Sequence, residues 1–150
     1  MERVDLAVLD GSESHEATVE VALVNGSTTV VLTFADRGVR ATGFDVLECL
    51  FAVRRELEAD GLLLCCQGAR PNVWASGMAR DMSGGRKAYD LREGKVPTME
   101  DVIDVLEPAP CTDVATIDEQ CVRVSELLAK RTGNDQAETL AILRRASGQQ

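Results

Sequence analysis

The chain has 150 residues, which is enough for one domain with a substantial buried core but not for two such domains. Its formal net charge of −9 repels phosphate backbones and anionic lipid, so the composition disfavours nucleic-acid or membrane binding as the main activity. Only 3% of the residues are aromatic, so the core is expected to consist of Val, Leu, Ile and Ala.

No export or membrane segment is predicted. The start of the chain does not combine basic residues with an apolar run, as a secretion signal would, and the apolar run at residues 62–66 is too short to span a bilayer. The cysteines are odd in number and include an adjacent pair, which predicts reduced thiols in a cytoplasmic protein rather than a disulfide framework. They are Cys49, Cys65, Cys66, Cys111 and Cys121.

Three antiparallel strands are predicted at the start of the chain. Residues 4–9 alternate loosely between apolar and polar side chains and end at a turn, and residues 17–24 alternate cleanly. Asn25 and Gly26 follow, and both residue types tolerate the positive φ that a type I′ hairpin turn requires. Residues 28–34 then return as the partner strand.

The main helix is predicted over residues 44–60, because apolar residues recur there at helical spacing. Thr42 lies three residues before Asp45, so its hydroxyl is expected to cap the helix. The charged residues Arg54, Arg55, Glu56 and Glu58 lie mostly off this apolar stripe. Gly61 can adopt the left-handed conformation that ends a helix.

The middle of the chain predicts further strands. Residues 62–66 are wholly apolar, which is typical of a central strand buried on both faces. Residues 86–91 form a second candidate. Residues 102–106 fit either a helix or a strand, but their β-branched side chains and the following Glu107-Pro108 favour a strand.

Two helices are predicted near the end of the chain. Thr116 and Glu119 have the spacing of a capping box, and Gly133 provides a stop for the helix that they begin. Asp135 begins a second, short helix that runs through residue 143. Together, the elements predict an α+β fold with an antiparallel or mixed sheet of five to six strands, one main helix on a face and C-terminal helices beside it. Residues 1–145 are expected to form a single domain and residues 146–150 a frayed tail.

The segment at residues 67–86 is the strongest candidate for a binding site. It follows a predicted buried strand, lacks periodicity, and carries three arginines on an otherwise acidic chain. It has neither the Walker pattern nor the dinucleotide fingerprint. Three interpretations remain open: an ordered loop whose arginines pair with acids and whose tryptophan plugs the core edge, a partner-binding loop, or a small-anion site. The candidate residues are Arg70, Asn72, Trp74, Ser76, Arg80, Ser83 and Arg86.

No catalytic residue, metal site or cofactor is predicted. Cys65 and Cys66 would point to opposite faces of a strand, so they cannot easily share a metal ion. The single histidine, His15, lies in a predicted turn far from them in sequence, which disfavours a Cys–His nucleophile. Glu48 is the one acidic residue considered for acid–base chemistry, and its position indicates solvent exposure. Whether the chain is an enzyme is left open, with the balance against it.

Three stretches of the chain resemble a family of small actinobacterial proteins of uncharacterised activity. They read Gly61-Leu-Leu-Leu-Cys-Cys-Gln-Gly-Ala-Arg70, Trp74-Ala-Ser-Gly-Met-Ala-Arg-Asp-Met-Ser-Gly-Gly85 and Lys87-Ala-Tyr-Asp-Leu91, and the similarity extends toward residues 116–120. The resemblance carries no activity to this chain. By analogy of size and charge, some such proteins are similar to immunity proteins that neutralise a cognate toxin.

Two function classes follow from these observations. The first is a small acidic cytosolic binding protein, such as an immunity-like inhibitor that sequesters a basic protein, with Trp74 and Arg70 as anchors. The second is a small-anion or phosphometabolite-binding protein or enzyme that uses the 67–86 loop. A self-associating structural protein is a third alternative, and the oligomeric state is left open.

Overall fold

Four consecutive strands open the chain in the computed structural model, which describes residues 1–148. Each strand pairs antiparallel with the next. Asn25 and Gly26 have φ values of 52° and 81°, as a type I′ turn requires, so the predicted hairpin is confirmed. The fourth strand was not predicted from the sequence. The strands are β1 (Glu2–Asp10), β2 (Glu13–Val24), β3 (Ser27–Phe34) and β4 (Arg37–Gly43).

The main helix, α1 (Val46–Ala59), begins at a different cap from the predicted one. The Asp45 carboxylate accepts a hydrogen bond of 2.8 Å from the Glu48 backbone N–H, and the Glu48 carboxylate accepts one of 2.9 Å from the Phe44 N–H. The prediction of Thr42 as the cap is wrong, because Thr42 lies in β4. Gly61 has a φ of 76°, so the predicted helix stop is confirmed.

The strand β5 (Leu62–Cys65) completes a five-stranded antiparallel sheet in the order β4-β3-β2-β1-β5. It therefore lies at an edge of the sheet, and its predicted central position is wrong. The strand is nonetheless largely buried, because α1 packs against it and residues 105–109 pass beside its end. There the Ala109 N–H donates to the Cys65 carbonyl at 3.2 Å, and Cys66 forms an isolated bridge with Pro108.

A second sheet of three antiparallel strands contains the other two predicted strands. The α+β class is confirmed, and the five-stranded antiparallel sheet agrees with the predicted sheet of five to six strands; the three-stranded sheet is additional to it. A short helix, α2, joins the first two strands of the smaller sheet. The elements are β6 (Val73–Trp74), α2 (Gly77–Ser83), β7 (Lys87–Asp90) and β8 (Val102–Asp104).

The last two helices are α3 (Ile117–Thr132) and α4 (Gln136–Ala146). The predicted capping box is confirmed, since Thr116 Oγ1 accepts from the Glu119 N–H at 3.1 Å and the Glu119 carboxylate accepts from the Thr116 N–H at 3.0 Å. The sequence predicts that the tail frays from residue 146, but Ala146 still belongs to α4 and the residue after it packs against α1. Ser147 is only 2% exposed, and its carbonyl accepts a hydrogen bond from Arg55. Residues 149–150 lie outside the described residues.

Arg54 is buried within the core, although the sequence places it off the apolar stripe of α1. It is 1% exposed. Its Nη1 donates to the Gln120 side-chain oxygen at 2.7 Å and to the Gly68 carbonyl at 3.3 Å, and its Nη2 donates to the Ala115 carbonyl at 3.1 Å. Its position off the apolar stripe does not expose Arg54, because these acceptors, which come from distant parts of the chain, satisfy the two terminal guanidinium nitrogens. The Nε atom makes no hydrogen bond in the described chain and lies 3.5 Å from the Glu58 carboxylate.

Two of the five cysteines form a disulfide, which contradicts the prediction that all of them are reduced. Cys65 bonds to Cys111, with the two Cα atoms 5.0 Å apart. This bond ties the segment before α3 to β5. Cys49, Cys66 and Cys121 are free thiols and are buried. Within residues 1–148, no helix is both long and apolar enough to cross a membrane.

Candidate functional site

The 67–86 segment is mostly regular structure rather than a loop. It contains a 3-10 turn, β6 and α2. Trp74 lies in β6 and is half-buried, and its ring packs against that of Phe51 with the centroids 5.8 Å apart. Trp74 therefore closes the edge of the core, which is the first of the three interpretations that the sequence left open.

The three arginines of this segment each pair with an internal carboxylate. Arg70 lies 3.4 Å from Asp90, and Arg86 donates to both carboxylate oxygens of Asp104 at 3.1 and 2.8 Å. Arg86 also bonds to Glu2, and this hydrogen bond lowers the pKa of the Glu2 carboxyl from its ordinary value. These pairings neutralise the positive patch that the sequence indicates.

The remaining candidate residues support local structure at separate places. Asn72 joins Arg70 at Asp90, where its side-chain amide donates to the carboxylate, and it also donates to the Leu91 carbonyl at 3.1 Å. Ser76 caps α2, accepting from the Ala79 N–H at 3.1 Å. Ser83 closes the same helix by donating to the Ala79 carbonyl at 2.6 Å. The seven candidate residues therefore do not converge on one site.

Carboxylates gather at one end of the five-stranded sheet. The β1–β2 turn, the β3–β4 turn and the α1–β5 connection all lie at this end, because the strands alternate in direction and Asp10 pairs with Leu62. We call the four acids of these connections, Asp10, Glu13, Asp36 and Asp60, the acidic rim. Asp60 pairs with Arg37 at 2.6 Å, and the other three form no ion pair within residues 1–148.

The end of α1 adds to the negative potential of the acidic rim. The last turn of α1 contains no basic residue, so the partial negative charge of the helix C-terminus is not offset there. His15 and Phe34 lie half-buried near the same end, with ring centroids 6.3 Å apart. His15 is in β2, so its predicted turn location is wrong. The rim therefore combines negative charge with a small aromatic surface.

A groove of about 650 Å³ runs along the exposed side of α1, between α2 and the end of α4. Phe44 and Arg80 lie at one end, where the Arg80 guanidinium stacks 4.8 Å from the Phe44 ring centroid. Arg55 and Arg145 line the groove near the end of α4. We call this feature the α1 groove, and Arg80 is the one residue of the predicted site that lines it.

Sequence reasoning missed the α1 groove because its residues come from three separate elements. Phe44 was assigned to the apolar stripe of the main helix, but it precedes α1 and is 68% exposed. Arg145 lies beside the predicted tail.

The buried polar cluster around Arg54 offers no nucleophile. Burial lowers the pKa of Arg54 and raises the pKa of the neighbouring Glu58 carboxyl. Burial also raises the pKa of the Cys66 thiol to about 11, which keeps the thiol protonated and unreactive at neutral pH. In the part of the chain that the structure describes, no group of three or more His, Cys, Asp or Glu side chains could hold a metal ion.

Comparison with known proteins assigns no family. No protein-family model matches the chain, and no curated protein matches it. The resemblance to small actinobacterial proteins therefore stays a prediction.

Proposed function

We propose that the protein is a binding protein that sequesters a basic protein partner, as an immunity-like inhibitor does, and that the acidic rim recruits this partner. The observation that carries the proposal is the cluster of Asp10, Glu13 and Asp36, which have no ion-pair partner within residues 1–148. Carboxylates without a neutralising cation attract a basic surface and accelerate the encounter with it.

The overall charge pattern supports this choice of partner. Within residues 1–148, eleven of the 25 acidic side chains form ion pairs, so fourteen carboxylates have none. Ten of the sixteen basic side chains take part in these pairs, and six do not. The surface charge that remains available to a partner is therefore strongly negative.

The anchoring contacts are expected at the rim rather than on the 67–86 segment. Trp74 and Arg70 are engaged with Phe51 and Asp90, so they contribute little free surface. The half-buried rings of His15 and Phe34 border the rim and would supply the apolar contact that a stable complex needs.

The sequence predicts a cytoplasmic location, and we keep this location as a proposal. The Cys65–Cys111 disulfide counts against it, because structural disulfides persist mainly in oxidising compartments. Alkylation of free thiols while host cells are lysed in denaturant, so that buried thiols such as Cys65 also react, followed by mass measurement, would separate the two cases. Modification of Cys65 and Cys111 before any reduction step supports the cytoplasm, and their protection supports an oxidising compartment.

The proposal is tested with two variants that remove the same three negative charges. The rim variant carries Asp10→Asn, Glu13→Gln and Asp36→Asn. The control variant carries Asp81→Asn, Glu100→Gln and Glu107→Gln, which are exposed acids without ion pairs in the described chain. A partner is first captured from the native host with the unaltered protein at low salt, and it is then purified.

We expect the captured partner to be basic and to associate about tenfold more slowly with the rim variant than with the control variant at low salt. Raising the salt concentration should reduce this difference, because the ions screen exposed charges. Equal association rates for the two variants would reject the acidic rim as the recruiting surface. Capture of no basic protein would reject the proposed function.

A further inference from the structure

We propose that the α1 groove is a binding site for a small anionic molecule with a flat apolar body, such as an aryl phosphate or an aryl carboxylate. The site is distinct from the acidic rim, since no rim residue lines it. Its volume of about 650 Å³ falls within the range of about 300 to 1,000 Å³ that is usual for small-molecule sites.

Two arginines of the groove are available to an anion. Arg55 and Arg145 form no ion pair within residues 1–148. They are two of the six basic side chains, out of sixteen, that have no carboxylate partner there. Arg55 donates to the Ser147 carbonyl, which fixes the position of its guanidinium group while leaving other N–H groups unused. A planar guanidinium group with free N–H donors matches the oxygens of a phosphate or carboxylate.

The acids that line the groove do not neutralise these two arginines. The Glu48 carboxylate accepts from the Phe44 N–H, and Glu56 forms no ion pair in the described chain. Arg80 is paired with Asp45. The anionic group of a ligand is therefore expected beside Arg55 and Arg145, at the α4 end of the groove.

The opposite end of the groove offers an aromatic surface. Phe44 is 68% exposed, and its ring lies against the guanidinium of Arg80. Phe51 forms part of the wall, and the small side chain of Ala52 leaves space above α1. An exposed aromatic ring in a concave site provides a stacking surface for a flat apolar group.

The spacing along α1 indicates the dimensions of the ligand. Glu48, next to the aromatic end, and Arg55 are seven residues apart on the helix, which corresponds to about 10 Å at a rise of about 1.5 Å per residue. A two-ring aromatic body with one anionic substituent covers this span. A free phosphate ion would reach only the arginine end.

The test uses four probes: 2-naphthyl phosphate, 2-naphthoate, 2-naphthol and inorganic phosphate, each titrated by calorimetry and by amide chemical shifts. We expect at least one naphthyl anion to bind about tenfold more tightly than naphthol and inorganic phosphate, with shifts at Phe44 and Ala52. Tighter binding of the phosphate identifies phosphate esters as the ligand class, and tighter binding of the naphthoate identifies carboxylates. Absence of saturable binding of either anion at millimolar concentration overturns the proposal.

Matched variants locate the binding site. Arg145→Gln should reduce the affinity for the naphthyl anion about tenfold, which is the size of effect that loss of a charge-assisted hydrogen bond produces. Arg131→Gln is the control, because Arg131 is exposed at the end of α3, has no ion pair within residues 1–148, and lies outside the groove. Phe44→Ala should reduce the affinity for the naphthyl anion without changing the affinity for inorganic phosphate. Equal affinity of the Arg145 variant and the unaltered protein would refute the site, whatever the result for the acidic rim.

Discussion

Arg80 on α2 and Asp45 at the start of α1 form a two-point ion pair, with Nε 2.6 Å from Oδ2 and Nη2 3.1 Å from Oδ1. The Asp45 carboxylate also caps α1, so the same group begins one helix and holds another. Because α2 buries none of its residues, this pair and the hydrogen bond from the Val46 N–H to the Gly84 carbonyl are its main attachments to α1.

Replacing Arg80 by Gln should release α2 from α1. The change leaves the Asp45 carboxylate, whose residue is only 5% exposed, without its cation, and we expect a loss of about 2–3 kcal/mol in the free energy of unfolding. Urea denaturation measures this loss, and hydrogen exchange should show faster exchange of the amides of α2. Arg92→Gln, at an exposed arginine without an ion pair in residues 1–148, should change stability by less than about 0.5 kcal/mol.

Gly85 packs more tightly against α1 than its neighbour Gly84. A Cβ atom on Gly85 would lie 2.6 Å from the Leu47 backbone nitrogen and 2.9 Å from Asp45 Cγ, whereas one on Gly84 would meet nothing within 4 Å. Both glycines have positive φ, at 82° and 63°, so Gly→Ala strains the backbone at each. We expect Gly85→Ala to lower the free energy of unfolding by at least about 2 kcal/mol more than Gly84→Ala. Similar losses in the two variants would contradict the close approach of this segment to α1.

The Cys65–Cys111 disulfide should contribute measurably to stability. It closes a loop across a sequence separation of 46 residues, and disulfides of this kind typically stabilise by about 2–4 kcal/mol. Denaturation with and without a reductant should show a difference of this size in the unaltered protein. Cys111→Ser should have the free energy of unfolding of the reduced protein, with or without the reductant. If the reductant still destabilises this variant, a disulfide other than Cys65–Cys111 is present.

Glu58 should make stability depend on pH. Burial raises the pKa of its carboxyl in the folded protein above the ordinary value of 4.5, although Arg54 lies 3.5 Å away. The folded protein therefore retains the Glu58 proton where the unfolded chain has lost it, so this residue lowers stability as the pH rises from about 4.5. Glu58→Gln stays neutral and can still accept from the Ile117 N–H, which bonds to Glu58 at 2.8 Å.

The comparison of the Glu58 variant with the unaltered protein isolates this effect. We expect the free energy of unfolding of Glu58→Gln, relative to the unaltered protein, to increase as the pH is raised above 4.5. A difference that stays constant, or that decreases with rising pH, would show that the Arg54 ion pair outweighs the cost of burying the charge.

Local features of the sequence predicted the elements that depend on neighbouring residues. The Asn25-Gly26 turn, the Thr116–Glu119 capping box and the stop at Gly133 are confirmed because each needs only residues within a few positions. The strand β4 was missed because its inward face carries only two small or medium apolar side chains, Val39 and Ala41, and because glycine, which strands disfavour, occurs in it twice. Its place in the sheet comes from pairing with β3, which the alternation of a single strand does not reveal.

The features that the sequence did not reveal depend on contacts between residues that are far apart in the chain. Arg54 is buried because carbonyls at Gly68 and Ala115 accept its N–H groups. Cys65 meets Cys111 only once the segment before α3 has folded back over β5. The same reason explains why the candidate arginines of residues 67–86 form no positive patch. Each of them is ion-paired with a carboxylate from another element.

The two edges of the five-stranded sheet differ in a way that limits how copies of this chain can stack. Residues 105–109 lie beside the end of β5, where the Ala109 N–H bonds to the Cys65 carbonyl, whereas β4 has no neighbouring strand beyond it within the described chain. A second molecule therefore meets an unobstructed edge along β4, whereas a strand added at β5 would have to run past residues 105–109 at the Cys65 end. Association of two copies through this sheet is thus favoured at β4.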